Sequence, residues 1–232
     1  MALLIVIVLA ALASYALCRP RHATDVRATD GTPRERLEPH FQKAGVPYPP
    51  ERIAFLVFKK EQRVAVWARS RGDWRFIRHY PITAASGHAG PKLREGDRQV
   101  PEGIYRIEHL NPNSRYHLSM KVSYPNDFDR RMAQRDRRTR LGGDIFIHGK
   151  AVSIGCVAVG DRAIEELYDL VQRTGVRQVK VIIAPNDLRT ARPIRHEDAP
   201  RWVDGLYRDV AAALREFPVA GEGMRDARVA FR

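Results

Sequence analysis

The sequence predicts a mainly β fold with helices added, of the α+β class, and three observations carry that expectation. Between Ile53 and Tyr80 lie three short segments rich in β-branched and aromatic residues: Ile53 to Phe58, Arg63 to Ala68 and Trp74 to Tyr80. Charged or Gly-containing turns separate them, the pattern of a β-meander. Two later stretches instead repeat apolar residues at helical spacing. The composition, 44% hydrophobic with 16 Gly and 15 Pro in 232 residues, suits one folded core with a small appendage.

The elements follow in chain order. Residues 1–18 form a targeting segment, because Ala2 to Leu17 is an almost unbroken apolar run followed by Arg19, Arg21 and His22. It reads as a signal peptide or a single membrane anchor, with cleavage expected after Ala13 or Ala16. The charges after the run favour cytoplasmic retention of that flank, but the apolar run itself carries the expectation of export to the periplasm or cell envelope, with or without anchoring. Residues 19–50 mix charges with Pro, Gly and Thr and read as a linker holding one short helix near Glu35 to Ala44.

The catalytic domain is expected over 51–190. After the meander, Ser86 to Gly103 reads as a long loop. Tyr105 to Glu108 and Tyr116 to Ser123 follow as strands, with Asn111 and Pro112 marking the turn between them. Arg130 to Arg140 packs six arginines into eleven residues and reads as a solvated loop, with an anion-binding element as the alternative. Ile145 to Ile147 is a buried strand that delivers His148 to its end. Asp161 is placed to cap a helix carrying Ile164, Leu167, Tyr168 and Val171 on one face, and Val179 to Ala184 is another strand. Residues 191–232 form a C-terminal helical extension whose stripe, Trp202, Leu206, Val210, Ala213 and Phe217, is expected to pack on the domain.

Net charge is +13, from 40 Lys plus Arg against 27 Asp plus Glu. That balance favours an anionic partner: nucleic acid, an acidic membrane surface or a carboxylate-rich wall. No nucleic-acid motif or aromatic-interleaved basic strand is visible, and the apolar start places the chain away from DNA. Membrane contact is expected only through the N-terminal segment. A zinc site is disfavoured because His79, His88, His109, His117 and His196 lack ligand spacing. No metal or cofactor is implied.

Chemistry concentrates in Ile147-His148-Gly149-Lys150-Ala151-Val152-Ser153-Ile154-Gly155-Cys156, an imidazole and a thiol with glycine beside each. A neighbouring imidazolium lowers a thiol from its ordinary ~8.5 and makes a nucleophile. Gly149 lets the chain turn off the strand beside His148. Gly155 lets the backbone approach a bound carbonyl, so the amides of Gly155 and Cys156 are candidates for an oxyanion hole. Ser153 has three readings: orienting the imidazole, bonding the substrate, or bonding its own backbone in a turn. Taken alone, Cys156 also has a structural reading as a buried thiol. Cys18 is the only other cysteine, so cleavage of the targeting segment would leave Cys156 unpaired.

Gly90-Pro91-Lys92-Leu93-Arg94-Glu95-Gly96-Asp97, then Val100-Pro101-Glu102-Gly103-Ile104-Tyr105, then the His-Gly to Ser-x-Gly-Cys signature resemble a YkuD-type L,D-transpeptidase catalytic domain. Asn111-Pro112-Asn113-Ser114-Arg115-Tyr116-His117-Leu118-Ser119 and Tyr124-Pro125-Asn126 are similar to the YafK-like branch. The resemblance implies a YkuD-like catalytic domain carrying a C-terminal helix. It implies that Cys156 attacks the L-centre carbonyl of meso-diaminopimelate in a peptidoglycan stem peptide, with His148 as base and then acid. An amine acceptor gives transpeptidation. Water gives hydrolysis, including amidase release of a wall-linked lipoprotein, an activity understood for part of that branch. The main family's Ser-His-Gly-Cys-x-Arg is here Ser153-Ile154-Gly155-Cys156-Val157-Ala158, so a His and an Arg are missing, a departure that the YafK-like branch shares.

Overall fold

A computed structural model describes residues 31–219; the targeting segment and Cys18 lie outside them. A nine-stranded sheet runs β3-β2-β1-β9-β5-β6-β7-β8-β4. Its strands are β1 Arg52–Phe58, β2 Arg63–Arg69, β3 Arg75–Pro81, β4 Ala84–Ala85, β5 Gly103–Ser114, β6 His117–Val122, β7 Phe146–His148, β8 Val157–Ala158 and β9 Val179–Ala184. Four α-helices accompany them among the described residues: α1 Pro33–Ala44, α2 Asp127–Arg135, α3 Asp161–Thr174 and α4 Val203–Leu214. The fold is α+β, as the strand and helix periods required.

The meander forms β1–β2–β3 in antiparallel register. What the sequence order conceals is that β9, far along the chain, inserts beside β1 in parallel and beside β5 in antiparallel. Val57 and Phe58 of β1 thereby face Ile183 and Ala184. β1 and β9 are nearly all apolar because both sheet faces are covered. One face carries a core of Phe55, Val57, Ile107, Met120, Ile147, Ile164 and Leu167 among others, closed by α1 and α3. The other carries Leu56, Trp67, Trp74 and Ile182, closed by α4 through Val203, Leu206, Tyr207, Val210 and Leu214.

Several local expectations change in three dimensions. Within the stretch read as a linker, α1 puts Leu37 and Phe41 fully inside the core, so this part of it belongs to the folded body. Asn111 and Pro112 do not turn the chain: β5 continues to Ser114 and the turn falls at Arg115 and Tyr116. A register shift between Asn111 and Ser114 absorbs the proline, which has no N–H to give the ladder. The arginine-rich stretch begins as a helix, because Asn126 and Asp129 form a reciprocal capping box at the start of α2. Asp161 does not cap α3. The N-cap is Gly160, without a side-chain bond, and Asp161 Oδ1 instead accepts the Lys150 N–H at 2.7 Å.

The helical stripe of α3 hid a buried carboxylate. Glu166, 1% exposed, accepts from Arg36 Nε at 2.7 Å, Arg78 Nη1 at 3.0 Å and Tyr80 Oη at 2.6 Å. It joins α1, β3 and α3. Removing one partner from a buried charge cluster leaves the others uncompensated, so Glu166→Ala is expected to lower stability by about 3 kcal/mol. The neighbouring, half-buried Glu165→Ala should cost under about 1 kcal/mol. Urea unfolding midpoints of the two variants check the contrast.

Candidate active site

Two very short strands set the geometry. β7 and β8 pair in parallel, with Ile147 opposite Val157 and His148 opposite Ala158. Cys156 sits in a bend one residue before β8, and its thiol bonds to the Phe146 backbone. Side chains alternate along each strand, so His148 projects from one face of the sheet. Core residues Ile147 and Val157 point the other way.

His148 is 2% exposed, and its Nδ1 lies 2.6 Å from the Gly149 carbonyl. A carbonyl only accepts, so Nδ1 carries the proton and Nε2 keeps its lone pair. The Tyr116 ring covers the imidazole at 4.6 Å between centroids, tilted by 33°. Burial holds His148 below the usual histidine range, partly offset by the Gly149 carbonyl. The imidazole is therefore a neutral base at neutral pH.

Cys156 is partly buried, and its Sγ lies 3.6 Å from the Asp144 carbonyl. Burial pushes its thiol up; the Phe146 backbone bond opposes this, the Asp144 charge adds to it, and Lys92 opposes it. The expectation of a thiol lowered by an imidazolium is thus reversed, because desolvation disfavours both charged forms at once. The chemistry available is proton removal by a neutral imidazole as the thiol attacks.

Glycine is needed at two of the flagged positions. A Cβ on Gly149 would sit 2.6 Å from both Asp161 Oδ1 and the Tyr116 carbonyl. Gly155 has φ +127°, and the Gln99 carbonyl passes close beneath it. Ser153 takes the turn reading: its Oγ donates to the Cys156 carbonyl at 2.8 Å and accepts the Gly155 N–H at 3.3 Å. Of the two amides considered for an oxyanion hole, that of Gly155 is thereby engaged within the loop. Exposed Val152 and Ile154 form an apolar lip beside the thiol.

Sequence reasoning assigned no role to Tyr116, Lys92, Asp144 or Gln99. Tyr116 and Lys92 do lie in runs singled out as motifs, but nothing in linear spacing shows that they converge on His148 and Cys156. Gln99 Nε2 donates to the His88 and Gly90 carbonyls at 2.7 and 2.6 Å. Asp97 closes the preceding turn by accepting the Leu93, Arg94 and Gln99 amides. The long loop is thus built around its own polar side chains.

A curled mixed sheet that ends β7 on a histidine and places a cysteine just before the paired β8 is the framework of the site. The chain belongs to the YkuD family, the L,D-transpeptidase catalytic domain, whose family model matches residues 52–183. It is 32% identical over 150 residues to the Escherichia coli K12 protein named "Putative L,D-transpeptidase YafK". That match covers 62% of this chain and 58% of the relative, so the chain matches little more than half the relative's length. Among solved structures, it is similar to the helical cell shape determining protein Pgp2 of Campylobacter jejuni, at 24% identity and TM-score 0.49 over 58% of this chain and 48% of that one. Similarity to L,D-transpeptidase 1 of Mycobacterium tuberculosis is 13%, at TM-score 0.34 over 57% and 61%.

The raised thiol pKa has a measurable consequence. Alkylation of Cys156 by iodoacetamide is expected to be slow at pH 6 to 7 and to accelerate only above the ordinary cysteine range, since the thiolate is the reacting form. A rate already maximal at pH 7 would contradict the assigned direction.

Proposed function

We propose that this chain is a cysteine-dependent peptidoglycan L,D-transpeptidase of the cell envelope, acting on wall stem peptides. The observation that carries the reading is the placement of His148 at the end of β7 and of Cys156 just before the paired β8, with Nδ1 held by the Gly149 carbonyl and Nε2 left to accept a proton. Family membership supports it.

In this reading His148 Nε2 takes the thiol proton as Cys156 Sγ bonds to the L-centre carbonyl carbon of meso-diaminopimelate. The Cys156 amide stabilises the oxyanion. Collapse breaks the amide bond, His148 returns the proton to the leaving amine, and a thioester remains. An acceptor amine, losing its proton to His148, then attacks the thioester, and the thiol is restored. Ser153 and Gly155 shape the loop that presents Sγ, and Gly149 keeps the imidazole's anchor in place. Water in place of the amine gives hydrolysis, and on a wall-linked lipoprotein that step releases the lipoprotein.

Two measurements test the reading. Cys156→Ser is expected to abolish turnover with the fold retained, and His148→Ala to lower acylation by about 100-fold or more. Thioester formation followed by intact-protein mass spectrometry reports both, and near-normal acylation in either variant would remove that residue from the mechanism. Tetrapeptide muropeptide with a diaminopimelate-bearing acceptor is expected to give a cross-linked dimer. Release of free lipoprotein from wall fragments without any dimer would reverse the assignment to an amidase.

A further inference from the structure

The excess positive charge is not spread evenly, and one basic groove lies away from the thiol. A cavity of about 470 Å³ opens where β1 and β9 begin and residues 104–106 of antiparallel β5 pass beside them, next to the start of α2. Its lining includes Arg52, Arg69, Arg106, Arg177 and Lys180, with Asp127 as the carboxylate among its walls. Arg106 lies three strands from Cys156 in the sheet order, so this is not the Cys156–His148 cleft.

The charges there are poorly neutralised. Lys180 is held by Glu216 at 2.8 Å, and Asp127 faces Arg130 at 3.7 Å. Among the described residues, no carboxylate pairs with Arg52, Arg106 or Arg177; Arg69 lies over the Trp74 ring at 4.7 Å and helps hold the Glu216 carboxyl below its ordinary range. Guanidiniums lining one cavity repel one another, and an anionic ligand relieves that repulsion. Planar guanidiniums match carboxylates in bidentate pairs. The remaining wall is unlike a bare phosphate cradle: it presents Ile104, 38% exposed, along with Trp74, Phe128 and the amide of Gln178. Apolar and amide groups beside cations suit a peptide that alternates carboxylates with a polar backbone, and the volume lies in the range of small-ligand pockets, about 300–1,000 Å³.

We infer that this groove is a second binding site, for a short peptide-like ligand carrying two or more carboxylates. The site is separate from the chemistry at Cys156 and does not depend on it.

The probes are acetylated tetraglutamate amide, the matching tetraglutamine, and tripolyphosphate, titrated into the full chain by calorimetry at low and physiological salt. Tetraglutamate is expected to bind and to weaken as salt rises, while tetraglutamine does not bind. The double variant Arg106→Glu/Arg177→Glu is expected to weaken tetraglutamate at least tenfold. Both side chains are exposed, so the fold is retained, as circular dichroism would show. Arg131→Glu/Arg135→Glu, an equal change of charge on exposed positions of α2 that do not line the groove, should leave affinity within about twofold. Equal losses in the two variants would reduce the effect to net charge and overturn the site. Absence of tetraglutamate binding would overturn it outright, and tripolyphosphate binding as tightly with the same sensitivity would overturn the carboxylate-peptide assignment.

Discussion

The arrangement around the candidate site depends on a buried ion pair, Lys59 with Glu102, at 2.9 Å. Glu102 is fully buried, and burial pulls Lys59 below its ordinary range while Glu102 pulls it back. Neither charge is tolerable there alone, because desolvation costs several kcal/mol per ion unless geometry and hydrogen bonds compensate. Every remaining valence is used accordingly. Glu102 also accepts the Gly90 N–H and the Tyr207 hydroxyl. Lys59 donates to the Gly90 and Val100 carbonyls. The end of β1, the loop before β5 and helix α4 are thereby fastened at one point. From Gly90 the chain of contacts passes through Gln99 to the backbone beneath Gly155, and so to Cys156.

Such fastening is needed because the strands that carry the site are too short to define it. β7 has three residues and β8 two, far below the usual strand length. Their position is maintained from outside. Asp161 accepts the Lys150 amide from the first turn of α3, and Lys150 Nζ reaches the Arg115 carbonyl at 2.7 Å. α3 is itself clamped to α1 and β3 by Glu166. The loop between His148 and Cys156 is thus braced at both ends while its middle, Val152 and Ile154, stays open to solvent. Rigid reacting groups beside an exposed apolar lip suit a large substrate that docks from outside.

The distribution of charge separates two tasks that the net value merges. Near the thiol, Lys92 is tied to Asp97 and Arg138 to Asp136, so these cations are largely spent on holding the loop. Arg140 likewise pairs with Glu95. Arg52, Arg106 and Arg177, left without carboxylate partners at the groove of β1, β5 and β9, are another matter.

The sequence by itself determined the meander, the strand delivering His148, the two amphipathic helices and the order of the motifs, because those features depend on local periodicity and residue type. It also named His148 and Cys156 from their flanking glycines. Only the tertiary structure brought their segments side by side, since this follows from a parallel register between strands of three and two residues, too short to leave a periodic signal. The same holds for Glu166, a charged residue inside an apolar stripe whose partners come from two distant elements. The direction of the thiol shift was likewise beyond spacing arguments: proximity to an imidazole suggested a lowered value, whereas burial, a property of the assembled core, raised it. Local chemistry fixed which residues were available; long-range packing fixed their protonation and the direction in which they point, because dielectric environment and side-chain orientation depend on neighbours brought together from distant parts of the chain.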